Sequence, residues 1–353
     1  MANTTFNVWD QARNTARIRM SAQIVLEQQA RPARQLSTMV ATTDDKIVME
    51  RMHVAAAGIA PFKAIGATPV IYAPRFKFEE SAIELIQISE MYPIDERKYR
   101  LTQSGDPKIA ERAGLDIQLA ARNMALRNEN RSDLMVMTAI LTGALTIGFE
   151  DELDQGLTIS YDYTGTHFVN ASDWNVPGSA TPLTDIRATQ QLLADDAGDY
   201  GLHIWMNSET WEDLIWSDQA KALLTGTDRA QNIPQRADVN ARLLEGERIQ
   251  WHVTSAGWRS EGSYVRGRTA LNKWIPDNKV IMTTADPFEG EPLVEMFDGM
   301  VLVRTGFDTR TLRQGNQTYA RIDDSDTLYN VNTSTRMPRI NRPECIAIMD
   351  VGP

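Results

Sequence analysis

The spacing of hydrophobic and polar positions changes character several times along the chain, and each change predicts a different element. Residues 1–45 are polar, rich in Gln, Thr and Ala and broken by Arg31-Pro32, with helical spacing only at Ile18, Ala22, Val25 and Gln29. Nothing there could build a core alone, so the segment reads as an N-terminal arm ordered by contact with something else. From Lys46 to Glu90 the pattern is β-like. Val54 to Ile71 is interrupted by Gly58, Pro61, Gly66 and Pro69, and Arg75-Phe76-Lys77-Phe78 alternates with the period of a strand. Proline and glycine at this density exclude a central strand. They suit a long projecting hairpin, marginal in water as an isolated pair of strands and in need of a partner surface.

Ser104-Gly105-Asp106-Pro107 reads as a helix start, with Asp106 as the cap and Pro107 in the first turn. No proline follows between Lys108 and Thr142. Apolar residues recur at Ile109, Ala113, Ile117, Ala120 and Met124, then at Leu134, Met137 and Leu141, and Gly143 can end the helix. Its roughly 30–36 residues would span about 45–54 Å. The spacing does not sustain heptads, and the polar run Arg127 to Asp133 marks an expected kink.

Beyond Phe149 an acidic run, Glu150 to Asp154, leads into a strand-like alternation from Leu157 to Tyr163, and Gly165 to Pro177 is a loop. A second unit opens at Thr181-Pro182. It holds a helix on Leu183, Ile186, Gln190 and Leu193 closed by Gly198, then a short buried strand, Leu202 to Met206. Asn207-Ser208 caps a helix bearing Trp211, Leu214 and Ile215, and Ala237 to Leu244 predicts another. Strands follow at Ile249 to Val253 and Lys279 to Met282, and from Leu293 onward the chain reads mostly as strands ending in Cys345 to Val351. The class is α+β.

Composition narrows the picture. Hydrophobic residues at 42% and charged residues at 24% are those of a folded chain, and 353 residues suggest two or three compact units. The single cysteine, Cys345, excludes an internal disulfide framework and suits folding in a reducing cytosol. No apolar run approaches the roughly 20 residues that cross a bilayer. Met1 to Met20 has no apolar stretch and is no secretory signal, so Asn-x-Ser/Thr matches such as those at Asn3, Asn170, Asn316 and Asn332 are chance.

A net charge of −11 argues against tight binding to a phosphate backbone. Five arginines against Asp10 and Glu27 make residues 1–40 locally +3, which leaves −14 for the rest. An arm charged opposite to its body is suited to lie on a neighbour's body, which makes Arg13, Arg17 and Arg19 candidate intersubunit contacts. Lys63, Arg75 and Lys77 on the hairpin are candidates for the same reason.

The signatures of a doubly wound enzyme are missing from the sequence: no Gly-x-Gly-x-x-Gly, no Walker-type phosphate loop, no Gly-x-Ser-x-Gly elbow. His53, His167, His203 and His252 stand at no metal-ligand spacing from one another or from Cys345. His203 and His252, in apolar strands, read as structural, and Cys345 reads as a core thiol. The acidic runs Glu150 to Asp154 and Asp323 to Asp326 lack calcium-loop spacing and read as solvated turns. Trp174, Trp205, Trp211, Trp216, Trp251, Trp258 and Trp274 crowd the second unit as core and interface anchors. No catalytic residue, cofactor or metal ligand is expected.

The order of parts, arm, hairpin, long helix, acidic β segment, α/β unit and returning strands, resembles the major capsid protein E family of tailed phages, relatives of the phage lambda head protein with the HK97-type fold. Ala60-Pro61-Phe62-Lys63-Ala64 and Glu84-Leu85-Ile86-Gln87-Ile88-Ser89-Glu90 look like the two limbs of the family's extended loop, the E-loop. Leu141-Thr142-Gly143-Ala144-Leu145-Thr146-Ile147 resembles the end of its spine helix. Asn207-Ser208-Glu209-Thr210-Trp211 and Ile275-Pro276-Asp277-Asn278-Lys279-Val280-Ile281 look like landmarks of its axial domain.

The resemblance implies an arm (residues 1–45), an extended loop and its base (46–92), a peripheral domain with the spine helix (93–180), an axial domain (181–300) and returning strands (301–353). It implies hexamers and pentamers closing into an icosahedral virion shell around double-stranded DNA, assembled in the host cytoplasm. The implied partners are copies of the chain, a portal and a decoration protein. An arm beginning within a few dozen residues of Met1 adds the expectation of a separate scaffolding protein. Sequence-specific DNA binding, membrane association and a lysine–asparagine cross-link from Lys63 or Lys77 are not expected. An encapsulin-like compartment and an α/β enzyme are the alternatives.

Overall fold

A computed structural model describes residues 31–54, 76–149, 152–161, 163–197, 201, 203–225, 249–258, 272–284, 292–304, 310–322 and 327–352. The chain enters at a short helix, α1 (Pro32–Leu36), and runs through β1 (Ser37–Ala41), β2 (Lys46–Val54), β3 (Phe76–Glu84) and β4 (Ile86–Ile94). Helix α2 (Glu96–Thr102) then leads into α3 (Pro107–Thr142), the spine, followed by β5 (Ala144–Phe149), β6 (Glu152–Ser160) and β7 (Phe168–Asn170). Next come α4 (Pro182–Ala197), β8 (His203–Asn207), α5 (Ser208–Trp216) and α6 (Asp218–Thr225). Strands complete the chain: β9 (Gln250–Thr254), β10 (Gly257–Trp258), β11 (Asn272–Lys273), β12 (Lys279–Thr283), β13 (Val294–Asp298), β14 (Met300–Arg304), β15 (Arg310–Gln314), β16 (Gln317–Ile322), β17 (Leu328–Ile340) and β18 (Ile346–Asp350).

The spine forms where the local chemistry says it should. The Asp106 carboxylate accepts the Lys108 N–H at 2.9 Å, and Pro107 occupies the first turn, where a missing N–H costs nothing. Gly143 ends the helix in the left-handed region at φ 67°, its N–H bonded to the Ala139 carbonyl at 3.0 Å. A side chain there would be strained and would also press on the Tyr163 and Phe168 rings. All 36 residues between form one helix, so the polar run Arg127 to Asp133 does not break it. That run is instead where Asn128, Glu129, Ser132 and Asp133 turn inward and are buried.

Two layers of packing hold the spine. Its last turns, Met135, Val136, Met137, Ala139 and Ile140, enter the main core with Leu36, Val294, Met296, Met337, Trp205 and Trp274. Its first half rests more lightly: Ile117 pairs with Ile94 beneath Tyr92, Tyr99, Ala320 and Leu328. Ile109, expected on the same apolar stripe, is 44% exposed.

The thirteen-residue β17 organises the sheet under the spine. One edge pairs with β4 along Leu328–Arg336, and the other pairs with β16 and then with β13, against which β1 lies parallel. The second sheet has the order β7-β18-β12-β8-β9, with β7 parallel to β18 and β8 parallel to β9. It is covered on both faces, which is why its strands are apolar runs and not alternations. Ile204, Met206, Val280 and Met282 meet α4 and α5, with Trp174, Leu193, Trp211 and Leu214. Trp205, Ile281, Ile346 and Ile348, on the opposite face, join the core beneath the spine. The predicted helix Ala237 to Leu244 lies outside the described residues.

Because Ile117 is 1% exposed among apolar neighbours, Ile117→Asp places a carboxylate where no partner waits. Such a charge costs several kcal/mol. The variant is expected to be insoluble or to melt far below the wild type, and a soluble variant with an unchanged melting curve would contradict this packing.

Candidate assembly site

The residues that fix the projecting parts to the body converge midway along the spine. Helix α1 lies on α3 through buried Ala33 and Leu36, and its basic residues reach two carboxylates one helical turn apart. Arg31 Nη1 donates to Asp133 Oδ2 at 2.5 Å. Arg34 donates to Glu129 Oε2 at 2.5 Å and approaches Asp133 Oδ1 at 3.3 Å. From β17, Arg336 donates through Nη1 to Glu129 at 2.8 Å and through Nε to Asp298 Oδ1 at 3.0 Å. Three arginines thus face three carboxylates. The Arg31 guanidinium also stands 5.6 Å from the centre of the Trp274 ring.

A shell of amides and hydroxyls completes the cluster. Asn316 Nδ2 donates to Glu129 Oε1 at 3.1 Å, and Ser132 Oγ accepts from Arg336 at 3.1 Å. Asn128 bridges to Asn332 at 3.0 Å and takes the Ser334 hydroxyl at 2.5 Å. Buried ions are tolerated only when the network around them is complete. Burial works to raise the Glu129 carboxyl, yet the charge and hydrogen bond of Arg336, the charge of Arg34 and the Asn316 amide outweigh it and hold it down at about 2. At Asp133 burial wins and raises the carboxyl despite Arg34 and Arg31.

The foot of the arm is therefore part of the body. The sequence marks residues 1–45 as unable to pack alone; Arg31 and Arg34 lock α1 to the spine by charge, and β1 pairs with β13.

The hairpin grows from the same region. Strands β2 and β3 pair antiparallel from Lys46 opposite Glu84 to Val54 opposite Phe76, as a sheet of their own. At the root Ile47 is buried in the main core, the Leu85 N–H donates to the Asp45 carbonyl at 3.0 Å, and Lys46 meets Glu84 at 3.0 Å. Gly299 leaves room for Leu85, since a Cβ there would lie 2.6 Å from its Cδ1. Among the candidate contact residues, Lys77 lies in β3 opposite His53. Arg13, Arg17, Arg19, Lys63 and Arg75 lie outside the described residues. The outer face of the spine carries Leu115 and Leu119, each 51% exposed, one turn apart.

Sequence spacing missed one pairing. His203 Nδ1 lies 3.0 Å from His252 Nε2 across the parallel strands β8 and β9, with the Trp205 ring stacked on His252 at 4.6 Å. His167 is buried between the Ile346 carbonyl at 2.8 Å and the Asp196 carboxylate at 2.9 Å, and Cys345 is a buried core thiol. Among the described residues no group of three or more His, Cys, Asp or Glu could hold a metal ion. No helix among them is long and apolar enough to cross a membrane. Glu150, Asp151 and the run Asp323 to Asp326 lie outside the described residues.

The clasp predicts a sign for acid sensitivity. A carboxyl whose pKa falls from 4.5 to about 2 on folding stabilises the fold fully above pH 4.5 and loses that contribution as pH falls toward 2. Glu129→Gln should destabilise at neutral pH by about 3 kcal/mol, because it leaves buried arginines short of charge. Its melting temperature should then fall less steeply than the wild type's between pH 4.5 and 2. Parallel melting profiles for the two proteins would contradict the assignment.

The fold has relatives among solved structures. A protein named as the capsid protein of a prophage of E. coli CFT073 aligns with 78% of this chain and 80% of its own length, at 14% identity and a TM-score of 0.51. A phage-related protein of Bordetella bronchiseptica RB50 aligns over 95% of this chain and 96% of its own, at 10% identity and a TM-score of 0.54. A comparison with curated protein sequences gives no match. At these identities the likeness shows the fold, the α+β architecture of a phage capsid protein. The model of the family described as phage major capsid protein E matches residues 43–291, from just before β2 to just before β13, and the chain belongs to that family.

Proposed function

We propose that copies of this chain gather into hexamers and pentamers and close an icosahedral head around packaged double-stranded DNA. The observation that supports this most is the hairpin β2–β3. It stands as an isolated two-stranded sheet on a root buried in the core, and the segment joining its strands, residues 55–75, carries Ile59, Phe62, Ile65, Val70, Ile71 and Tyr72. A pair of strands bearing so apolar a segment is not stable in water by itself. A neighbour offers a landing place: Leu115 and Leu119 on the outer face of the spine, with Glu111 and Asp116 exposed beside them. Lys63, Arg75 and Lys77 complement that charge, and Arg13, Arg17 and Arg19 extend the same logic to the arm.

Repeated head-to-tail contacts of this kind close into rings and then shells. The chain performs no chemistry of its own in this reading, and no metal or cofactor takes part. At a net charge of −11 it encloses DNA without adhering to it. A separate scaffolding protein, a portal and a decoration protein complete the head, and assembly takes place in the host cytoplasm. The family match favours a phage head over an encapsulin-like compartment or an α/β enzyme.

Charge reversal tests the contact. The triple variant Lys63→Glu, Arg75→Glu, Lys77→Glu should give a soluble subunit with the wild-type melting temperature and a sharply reduced yield of shells. Raised salt should weaken the wild-type contact, since exposed pairs are each worth about 0–1 kcal/mol and are screened. Normal shells from the triple variant would remove the contact. EDTA should change neither melting temperature nor assembly, and a shift of many degrees would reopen Glu150 to Asp154 as a cation site.

A further inference from the structure

A second hairpin lies beyond residues 43–291, the part of the chain that the family model covers. Strands β14 and β15 form another isolated two-stranded sheet, paired from Met300 opposite Gln314 to Arg304 opposite Arg310. Its inner face is seated: Val301 and Val303 are buried. Its base is fixed by the Gly299 N–H to the Thr335 carbonyl at 2.8 Å and by Gln314 to the Asp298 carbonyl at 3.1 Å. Asp298 is also the carboxylate that holds Arg336, so the hairpin stands on the ionic cluster of the spine.

The outer face is the opposite of what an exposed hairpin needs. Leu302 and Leu312 face each other across the strands, 51% and 62% exposed, and Leu312 is the most exposed large apolar side chain among the described residues. By strand register Arg304 and Arg310 share the face of Leu302 and Leu312, Arg313 stands opposite buried Val301, and neither strand holds a carboxylate, in a chain whose net charge is −11. Rigid seating, a cross-strand pair of exposed leucines and local positive charge together describe a docking knob for an acidic surface.

We infer that the outer face of β14–β15 docks on a second copy of this chain. Charge selects that occupant, because the body of every copy is acidic. The shell reading, on which this inference rests, sets another copy against each side of the subunit. The contact is then the apolar centre of an interface, with arginines at its rim.

The lone native cysteine, Cys345, is 1% exposed, so Leu312→Cys introduces one accessible thiol. A maleimide should label it readily in the free subunit and an order of magnitude more slowly in assembled heads, where the interface excludes water. A photo-crosslinking phenylalanine analogue placed at position 312 should join two copies of this chain, through an acidic peptide of the second. Equal labelling rates in subunit and head would overturn the inference while leaving the shell reading intact, and so would cross-links to a different protein. A chain that forms no heads at all would remove both.

Discussion

Six ionised side chains meet where α1, the spine, β13 and β17 converge, and most of the architecture is arranged around keeping them paired. Arg31, Arg336, Glu129 and Asp133 are buried, with Arg34 and Asp298 at the edges of the cluster. A carboxylate or guanidinium in such a place costs several kcal/mol unless its partner is held in position. The partners come from four segments remote in sequence. The N-terminal helix, the middle of the spine, the end of β13 and the middle of β17 can therefore satisfy one another only in the complete fold. Alternative registers of β17 or of α1 would leave a buried charge alone.

That arrangement gives the two hairpins and the N-terminal helix a fixed root. The β2–β3 hairpin has its root beside the cluster, in the core that Ile47 enters. The β14–β15 hairpin begins one glycine beyond Asp298, the carboxylate that Arg336 grips. The helix that follows the first thirty residues is clamped by Arg31 and Arg34. In the proposed shell a rigid root of this kind is an advantage, since a loose one would spend binding energy on ordering the element that docks.

How much of this was legible depended on the range of the interaction that carried it. The caps at Asp106, Gly143 and Asn207 are local, and sequence placed them at the positions where the backbone uses them. The hairpin was visible through its alternation and its prolines, and the buried strands through their apolar runs. The charge cluster was not visible: Glu129 and Arg336 are 207 residues apart, and Arg31 and Asp133 are 102 apart. A polar run inside an amphipathic helix looks like a kink until its partners are known. For the same reason the foot of the arm looked unattached, and the histidines of β8 and β9 looked unrelated, though adjacent parallel strands bring them to 3.0 Å. The contact residues proposed for assembly rest on charge alone, because the partners proposed for them belong to other copies.

Electron cryomicroscopy of particles made by cells producing this chain tests the central claim most directly. The account predicts closed icosahedral shells built of five- and six-fold rings, with density for the β2–β3 hairpin crossing onto the outer face of an adjacent spine helix. Small discrete oligomers with the hairpin folded back on its own subunit would contradict it.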